Sequence, residues 1–450
     1  MKKFLKYFGF GVLIFIIYFV ITSYPKLDLI SGFASKSVAS AHFIDNRPLN
    51  LIEKTDNDIP LVKKASNSID DKNLWATSSV FGLKERKAIY RKGLGCTLID
   101  DTFDVNAPYL VPHRATTKTL LFPKGNVKKD TVFANIDYKK LQTALNNAFD
   151  AKGKSTKKTR SVLVVYNDHI IAEKYAEGFN ENSKILGWSM TKSLTATLYG
   201  ILQHQNKINI TNPVNLAEWQ KDERKNITYN DLLHMNSGLE WEEDYTKISD
   251  VTQMLFLAKN MGQVQAEKPS VGKPNQTWNY SSGTTNLLSL LLRKQFKTHQ
   301  EYLDFWYSAL LDKIGMNSAL VEVDMAGNYV GSSYGWATTR DWAKFGLLYL
   351  HKGNWFGEQI FSPEWAKYVA TPTPTSGNRY GAHFWLNAGG KFPNVPKEMY
   401  YCSGYQGQMV AIFPNHNLVI VRMGTSEDFD FDTLLSEIIK SIKPENTKLK

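Results

Sequence analysis

Cysteine is nearly absent: the 450 residues contain two, Cys96 and Cys402. A disulfide framework is therefore excluded as a source of stability. At most one bridge can form, and two buried free thiols are the other reading. The chain has no HExxH and no CxxC, and its nine histidines are dispersed, so no metal-ligand pattern can be read and no cofactor is implied. An internal repeat is also missing, as is any basic stripe interleaved with stacking aromatics. The missing stripe excludes nucleic acid as the partner behind the net charge of +11, whose lysines and arginines are scattered apart from small clusters at Lys2 to Lys6 and Lys152 to Arg160.

Hydrophobic residues, at 43%, suffice for a large core in two or three domains, or in one domain with appendages. Lys2, Lys3 and Lys6 precede an uncharged run from Tyr7 to Tyr24. As a helix its roughly 18 residues would rise about 27 Å, close to the thickness of a bilayer core. The small-x-small sequence Ala39-Ser40-Ala41 lies far beyond that run. An uncleaved membrane anchor over residues 1–27 is thus expected in preference to a cleaved signal peptide and secretion. The flanking lysines would hold the N-terminus in the cytoplasm and send the rest, including a periplasmic catalytic domain, across the membrane.

Residues 28–77 lack sustained periodicity and read as a tether; 78–134 read as an irregular extension. From 135 to 446 the patterns are regular. Asp137 is placed to cap a helix whose Leu141, Ala144, Leu145, Ala148 and Phe149 share a face. SVLVVYNDHIIAEKY follows as two strands about Asn167-Asp168. A mainly helical middle runs to about Gly331, and Thr338 or Thr339 caps the next helix. GQMVAIFPNHNLVIVRMG reads as a second hairpin and DFDTLLSEIIKSIK as a closing helix. The expectation is an α+β domain: an antiparallel sheet with strands from both ends of the domain, in an α/β/α sandwich, beside a helical insertion.

Ser-x-x-Lys occurs at Ser23, Ser155, Ser189 and Ser270, but only Ser189 stands where a helix begins. A capping serine favours Glu or Gln three residues on. Here Lys192 takes that place, against the positive end of the helix dipole, an arrangement disfavoured by roughly 0.3 to 1 kcal/mol. The same dipole favours a neutral amine, and helical spacing sets that amine beside the hydroxyl, as a nucleophile and its base require. In NYSSGTTNLLSLLL, Tyr280 sits at a turn before a helix and could relay a proton. In YYCSGYQGQMVAIF, Gly404 and Gly407 permit close approach of a substrate to backbone, and a strand N–H there could hold an oxyanion.

SMTKS, the Tyr-x-Ser of Tyr280 to Ser282, and CSGYQGQ resemble, in order and spacing, the three motifs of serine hydrolases of the class C β-lactamase and penicillin-binding-protein-like family. ITYNDLLHMNSGLEWEEDY, YGWATTRDWAKFGLLYLHKG and RYGAHFWLN strengthen the likeness, which spans about Asn135 to Lys443. The Tyr-x-Ser and GYQGQ forms are most similar to 6-aminohexanoate-dimer hydrolases. The resemblance implies cleavage of an amide or ester through an acyl-enzyme, with Ser189 as nucleophile, Lys192 and Tyr280 as general bases, and Tyr405 with Gly404, Ser282 and Ser403 at the oxyanion and substrate-binding positions.

Two departures stand out. Ser282 occupies the place of an Asn, and Cys402-Ser403-Gly404 replaces Lys-Thr-Gly. The missing lysine would bind a substrate carboxylate, so β-lactamase and DD-peptidase activities are the alternatives rather than the first reading. A further rival is a non-catalytic anchored sensor of β-lactams or wall fragments, but a pure binder has no need of Ser189, Lys192 and Tyr280 together. The GxSxG of Gly331 to Gly335, with Ser333 as nucleophile, lacks the strand before and the helix just after it that such an elbow needs.

Overall fold

The computed structural model describes residues 2–116 and 119–443. Met1, where the expected anchor begins, and residues 444–446, where the expected catalytic domain ends, lie outside the described residues. The chain divides into two compact units, one of Met1–Ala107, Glu242–Met261 and Asp324–Gly327, the other of Pro108–Trp241, Gly262–Val323 and Asn328–Lys450.

In the first unit a long helix, α1 (Lys2–Asp45), runs into an antiparallel sheet of β1 (Ala65–Asp70), β2 (Trp75–Val80), β3 (Leu83–Arg91) and β4 (Gly95–Ile99), hydrogen-bonded in that order. Small side chains bring the helix close to its neighbours: Ala34, Ser35, Ala39, Ser40 and Ala41 are buried, and a Cβ on Gly32 would stand 3.2 Å from Phe256 of the helix Asp250–Leu257. The stretch read as a tether thus carries the last part of α1, β1 and the first half of β2, and the stretch read as irregular carries the rest of β2, β3 and β4. These strands are hard to see in sequence because serine, threonine, lysine and arginine occupy most of their outward positions.

The expectation of a membrane anchor is corrected here. Among the described residues no helix is long and apolar enough to cross a membrane. The run that suggested a span is continuous with the rest of α1, whose later part, including Phe33, Val38 and Ile44, is buried in this unit. With the anchor go the membrane association through an N-terminal helix and the single-pass placement. Ala39-Ser40-Ala41, the candidate cleavage site, is buried within the helix.

The second unit centres on a six-stranded antiparallel sheet. Its strands are β5 (Thr159–Tyr166), β6 (His169–Tyr175), β10 (Trp385–Leu386), β11 (Tyr400–Gly404), β12 (Gln408–Phe413) and β13 (Leu418–Gly424), in the spatial order β10-β11-β12-β13-β5-β6. Strands from both ends of the unit meet where β13 pairs with β5. A small sheet orders β7 (Lys184–Leu186), β9 (Gly335–Thr338) and β8 (Leu320–Val321) with β9 central. The hairpin at Asn167 and Asp168 has φ of +45° and +64°, the left-handed pair that a two-residue turn needs.

One face of the large sheet, with Val162, Val164, Ala411 and Ile420, packs on Leu141 and Leu145 of α2 (Tyr138–Asn147) and on Leu434, Leu435 and Ile438 of α6 (Phe431–Lys440). On the other face lies α5 (Thr339–Leu350), so close that a Cβ on Gly346 would meet Val419 at 2.7 Å and Val410 at 2.8 Å. All eight residues of β5 are buried, as expected of a strand covered on both faces. The α+β sandwich expected from the pattern is the fold observed. Asp137 and Thr338 cap α2 and α5 through their side chains. Cys96 and Cys402 are both buried and are not joined in a disulfide.

Candidate active site

Packing makes the turn that carries Ser189. Gly187, just after β7, donates its N–H to the Gly335 carbonyl at 2.8 Å, and a Cβ on it would stand 2.3 Å from Trp342 Cζ2. Only glycine fits there. Trp188 then takes φ of +47°, a left-handed conformation that costs a residue with a Cβ about 1 kcal/mol or more. Its ring is held edge-on, with centroids 5.3 Å from Tyr405 and 6.2 Å from Tyr334. A single tight turn, Trp188–Met190, leads into α3 (Thr191–His204). Ser189 caps neither; Gly187 and Met190 hold the cap positions, without side-chain cap bonds.

The Ser189 hydroxyl faces Lys192. Lys192 is 1% exposed, and its Nζ donates to Ser189 Oγ at 2.8 Å, to Ser282 Oγ at 2.8 Å and to the Ser332 carbonyl at 3.1 Å. The half-buried Tyr280 stacks its ring over the same nitrogen, 4.9 Å from the centroid. Ser281 Oγ caps α4 (Ser282–Arg293) by accepting from Thr284 N–H at 2.9 Å, which leaves Ser282 at the first helical position beside Lys192. Four side chains from two of the motif stretches, and the Ser332 carbonyl besides, are thus brought to one point.

The third stretch adjoins them at the end of β11. A Cβ on Gly404 would stand 2.1 Å from the Gly187 carbonyl oxygen, so glycine is required for the strand to pass the Ser189 turn. The loop to β12 turns through Gln406 and Gly407, at φ of +63° and +78°. Buried Arg422 holds it from behind, donating to the Gly407 carbonyl at 2.6 Å and the Gln406 carbonyl at 3.3 Å; Gln408 donates to the Tyr405 carbonyl at 3.1 Å. Ser403 is half-buried and pairs across the strands with Met409. At Cys402, burial pushes the thiol up to about 12, so a neutral group stands where the resemblance would have a lysine.

The structure also carries features that the sequence reading passed over. The Gly331 to Gly335 loop supplies the Ser332 carbonyl to Lys192, while Ser333 is fully buried with its hydroxyl 2.8 Å from that of Ser332. A strand follows this loop rather than preceding it, so it forms no nucleophile elbow. Gly331 was the available signal, since a Cβ there would stand 2.5 Å from Thr195 Oγ1 of α3. Among the described residues no three or more His, Cys, Asp or Glu side chains gather as a metal site.

His383, also unanticipated, is buried behind the site. Its ring nitrogens meet the Leu233 carbonyl at 2.7 Å and Thr285 Oγ1 of α4 at 2.9 Å, and its own carbonyl accepts from Ser193 Oγ of α3 at 2.7 Å. Burial pushes its pKa down to about 3, and the Lys192 charge acts in the same direction; burial likewise holds His234 at about 4. Both lie below the ordinary value near 6.5, so between those limits the unfolded chain binds protons that the native state refuses. Stability is therefore fully present above about pH 6.5 and is lost as pH falls through that window. Urea midpoints compared from pH 7.5 to pH 4 are expected to fall more steeply for the wild type than for His383→Gln. Parallel profiles would contradict this account.

A serine and a buried lysine in contact at a helix start, with a tyrosine at the lysine and a strand end alongside, define the class of protein as well as a site. The Beta-lactamase family pattern matches residues 147–440, and the chain belongs to that family. It is 22% identical over 347 residues to a protein of Alkalihalophilus pseudofirmus, a match covering 65% of this chain and 94% of that one. Among solved structures it is similar to one from Bacillus anthracis described as a 6-aminohexanoate-dimer hydrolase, with TM-score 0.55, 19% identity, and 73% and 87% of the two chains covered. It is also similar to a family VIII carboxylesterase, with TM-score 0.54, 13% identity, and 68% and 97% covered. The protein is thus a β-lactamase-family hydrolase with the β-lactamase-like fold.

Proposed function

We propose that the protein hydrolyses an amide or ester through an acyl-enzyme on Ser189. Lys192 and Tyr280 together take the Ser189 proton as Oγ attacks the carbonyl carbon, and Tyr280 gives a proton to the leaving amine or alcohol. The backbone N–H groups of Ser189 and Tyr405 hold the oxyanion that forms, which the contact of Gly404 with the Ser189 turn supports. Water, deprotonated by Tyr280, then releases the acid and regenerates Ser189. The observation that carries this reading is the 2.8 Å contact between Lys192 Nζ and Ser189 Oγ. A neutral amine at that distance accepts the hydroxyl proton along the same line on which the ammonium now donates.

The neutral Cys402 thiol favours amide and ester substrates over those anchored by a carboxylate at the third motif. Treatment with a fluorophosphonate, followed by peptide mapping, is expected to find one adduct, on Ser189. Ser333→Ala should label normally and Ser189→Ala should not. An adduct on Ser333, or equal labelling of the Ser189→Ala protein, would overturn the assignment.

A further inference from the structure

A buried cation stands behind the loop that joins β11 to β12. Arg422 of β13 is 1% exposed, yet among the described residues no carboxylate forms an ion pair with it, and its guanidinium donates to neutral acceptors alone. Nη1 serves the Gln406 and Gly407 carbonyls, Nη2 serves the Lys157 carbonyl at 2.6 Å and Thr159 Oγ1 at 3.1 Å, and Nε serves the same hydroxyl at 3.3 Å. All of its N–H groups are thus used. The Phe429 ring centroid lies 4.3 Å from its Cζ. Two glycines make the room: a Cβ on Gly424 would stand 2.4 Å from Arg422 Cζ, and one on Gly407 would stand 2.7 Å from Nη1. Burial, and then the like charge of Arg160, push the guanidinium down to about 9, more than the Asp150 charge restores.

A charge buried without a counter-ion is costly, and an apolar side chain of similar length would fill the same space without that cost. What the guanidinium secures is the conformation of one turn. The Gly404 carbonyl accepts from Gly407 N–H at 3.1 Å. That carbonyl and the Tyr405 N–H are opposite ends of one planar trans peptide, so fixing the first aims the second the other way. Gly407 is fixed in its turn by Arg422, which holds its carbonyl. The Tyr405 carbonyl is held by Gln408, whose side chain also exchanges hydrogen bonds with both the N–H and the carbonyl of Gly424. We propose that Arg422 is the positioning residue of the oxyanion site: by holding the Gln406 and Gly407 carbonyls it fixes the turn that aims the Tyr405 N–H at the carbonyl oxygen of the bound substrate. A planar guanidinium fixes direction as well as distance, which a single charged nitrogen does less well. This assignment rests on the acyl-enzyme reading given above, in which the Tyr405 N–H is an oxyanion donor.

Its test sets a short p-nitrophenyl ester against its thionoester, in which sulfur, a weaker hydrogen-bond acceptor, replaces the carbonyl oxygen. The wild type should favour the ester by about 10²-fold in kcat/KM, the scale of one oxyanion donor. In Arg422→Met, kcat for the ester should fall by about tenfold to a hundredfold with KM little changed, and the preference for the ester should fall about tenfold, because a misaimed donor no longer tells oxygen from sulfur. Fluorophosphonate taken up at completion counts competent sites, so a variant that is merely part-unfolded loses sites while each remaining site keeps the wild-type rate and preference. Arg422→Lys keeps the charge on a single nitrogen; it should fall between the two in kcat and in preference, and it carries the test if the methionine variant does not fold. A folded variant of either kind with the wild-type preference, or a loss confined to the number of sites, would overturn the role of Arg422 while the acyl-enzyme reading stands. Hydrolysis by the wild type with no acyl adduct on Ser189, and with an ester preference that still depends on Arg422, would overturn the acyl-enzyme reading and keep the positioning role.

Discussion

Ser189→Ala is expected to lower kcat for a short p-nitrophenyl ester by about 10⁴-fold or more while leaving the fold intact, because no other group can form the acyl intermediate. The Ser189 hydroxyl caps no helix, and Lys192 keeps Ser282 Oγ and the Ser332 carbonyl as acceptors after its removal. Thermal midpoints should therefore stay close to wild type, within the small range of substitutions that break no cap, core or buried network. Steady-state turnover and a melting curve on the same samples check both halves. Undiminished turnover in a folded Ser189→Ala protein would remove the serine from the mechanism.

Lys192→Ala should be comparably inactive, but for a mixed reason that a second variant separates. The side chain is buried and its loss strips Ser282 Oγ and the Ser332 carbonyl of their donor, so about 1 to 3 kcal/mol of stability should be lost with the activity. Lys192→Met retains most of the volume while removing the amine. It should recover part of the melting temperature and none of the turnover, with kcat down by about 10³-fold or more. A small primary amine added to Lys192→Ala should restore some activity by occupying the cavity as a replacement base, and should do nothing for Lys192→Met, where the space is filled. Wild-type rates in Lys192→Met would rule out the amine as the base.

Local signals announced much of this arrangement. Asp137 and Thr338 stand at real helix starts because each side chain meets an amide three residues on, a relation that lies wholly within one turn. Asn167-Asp168 turns the first hairpin because both residues tolerate positive φ. Lys192 was conspicuous because it stood against the helix dipole. The long apolar run at the N-terminus misled for the opposite reason. Composition measures what a segment could dissolve in, while α1 owes its place to small side chains further along that meet a sheet of largely polar sequence.

By itself the sequence determined the α+β fold, the pairing of Ser189 with Lys192 and the presence of three motifs in order, since each depends on neighbours along one helix, one turn or one strand. Only the tertiary structure decided that Ser282 and the Ser332 carbonyl complete the surroundings of Lys192 and that Gly187 and Gly404 must lack side chains. Those facts concern groups 90 and 140 positions apart in the case of Lys192, joined by hydrogen bonds and close packing. Such approaches are set by how the elements fill space together, which no local pattern encodes.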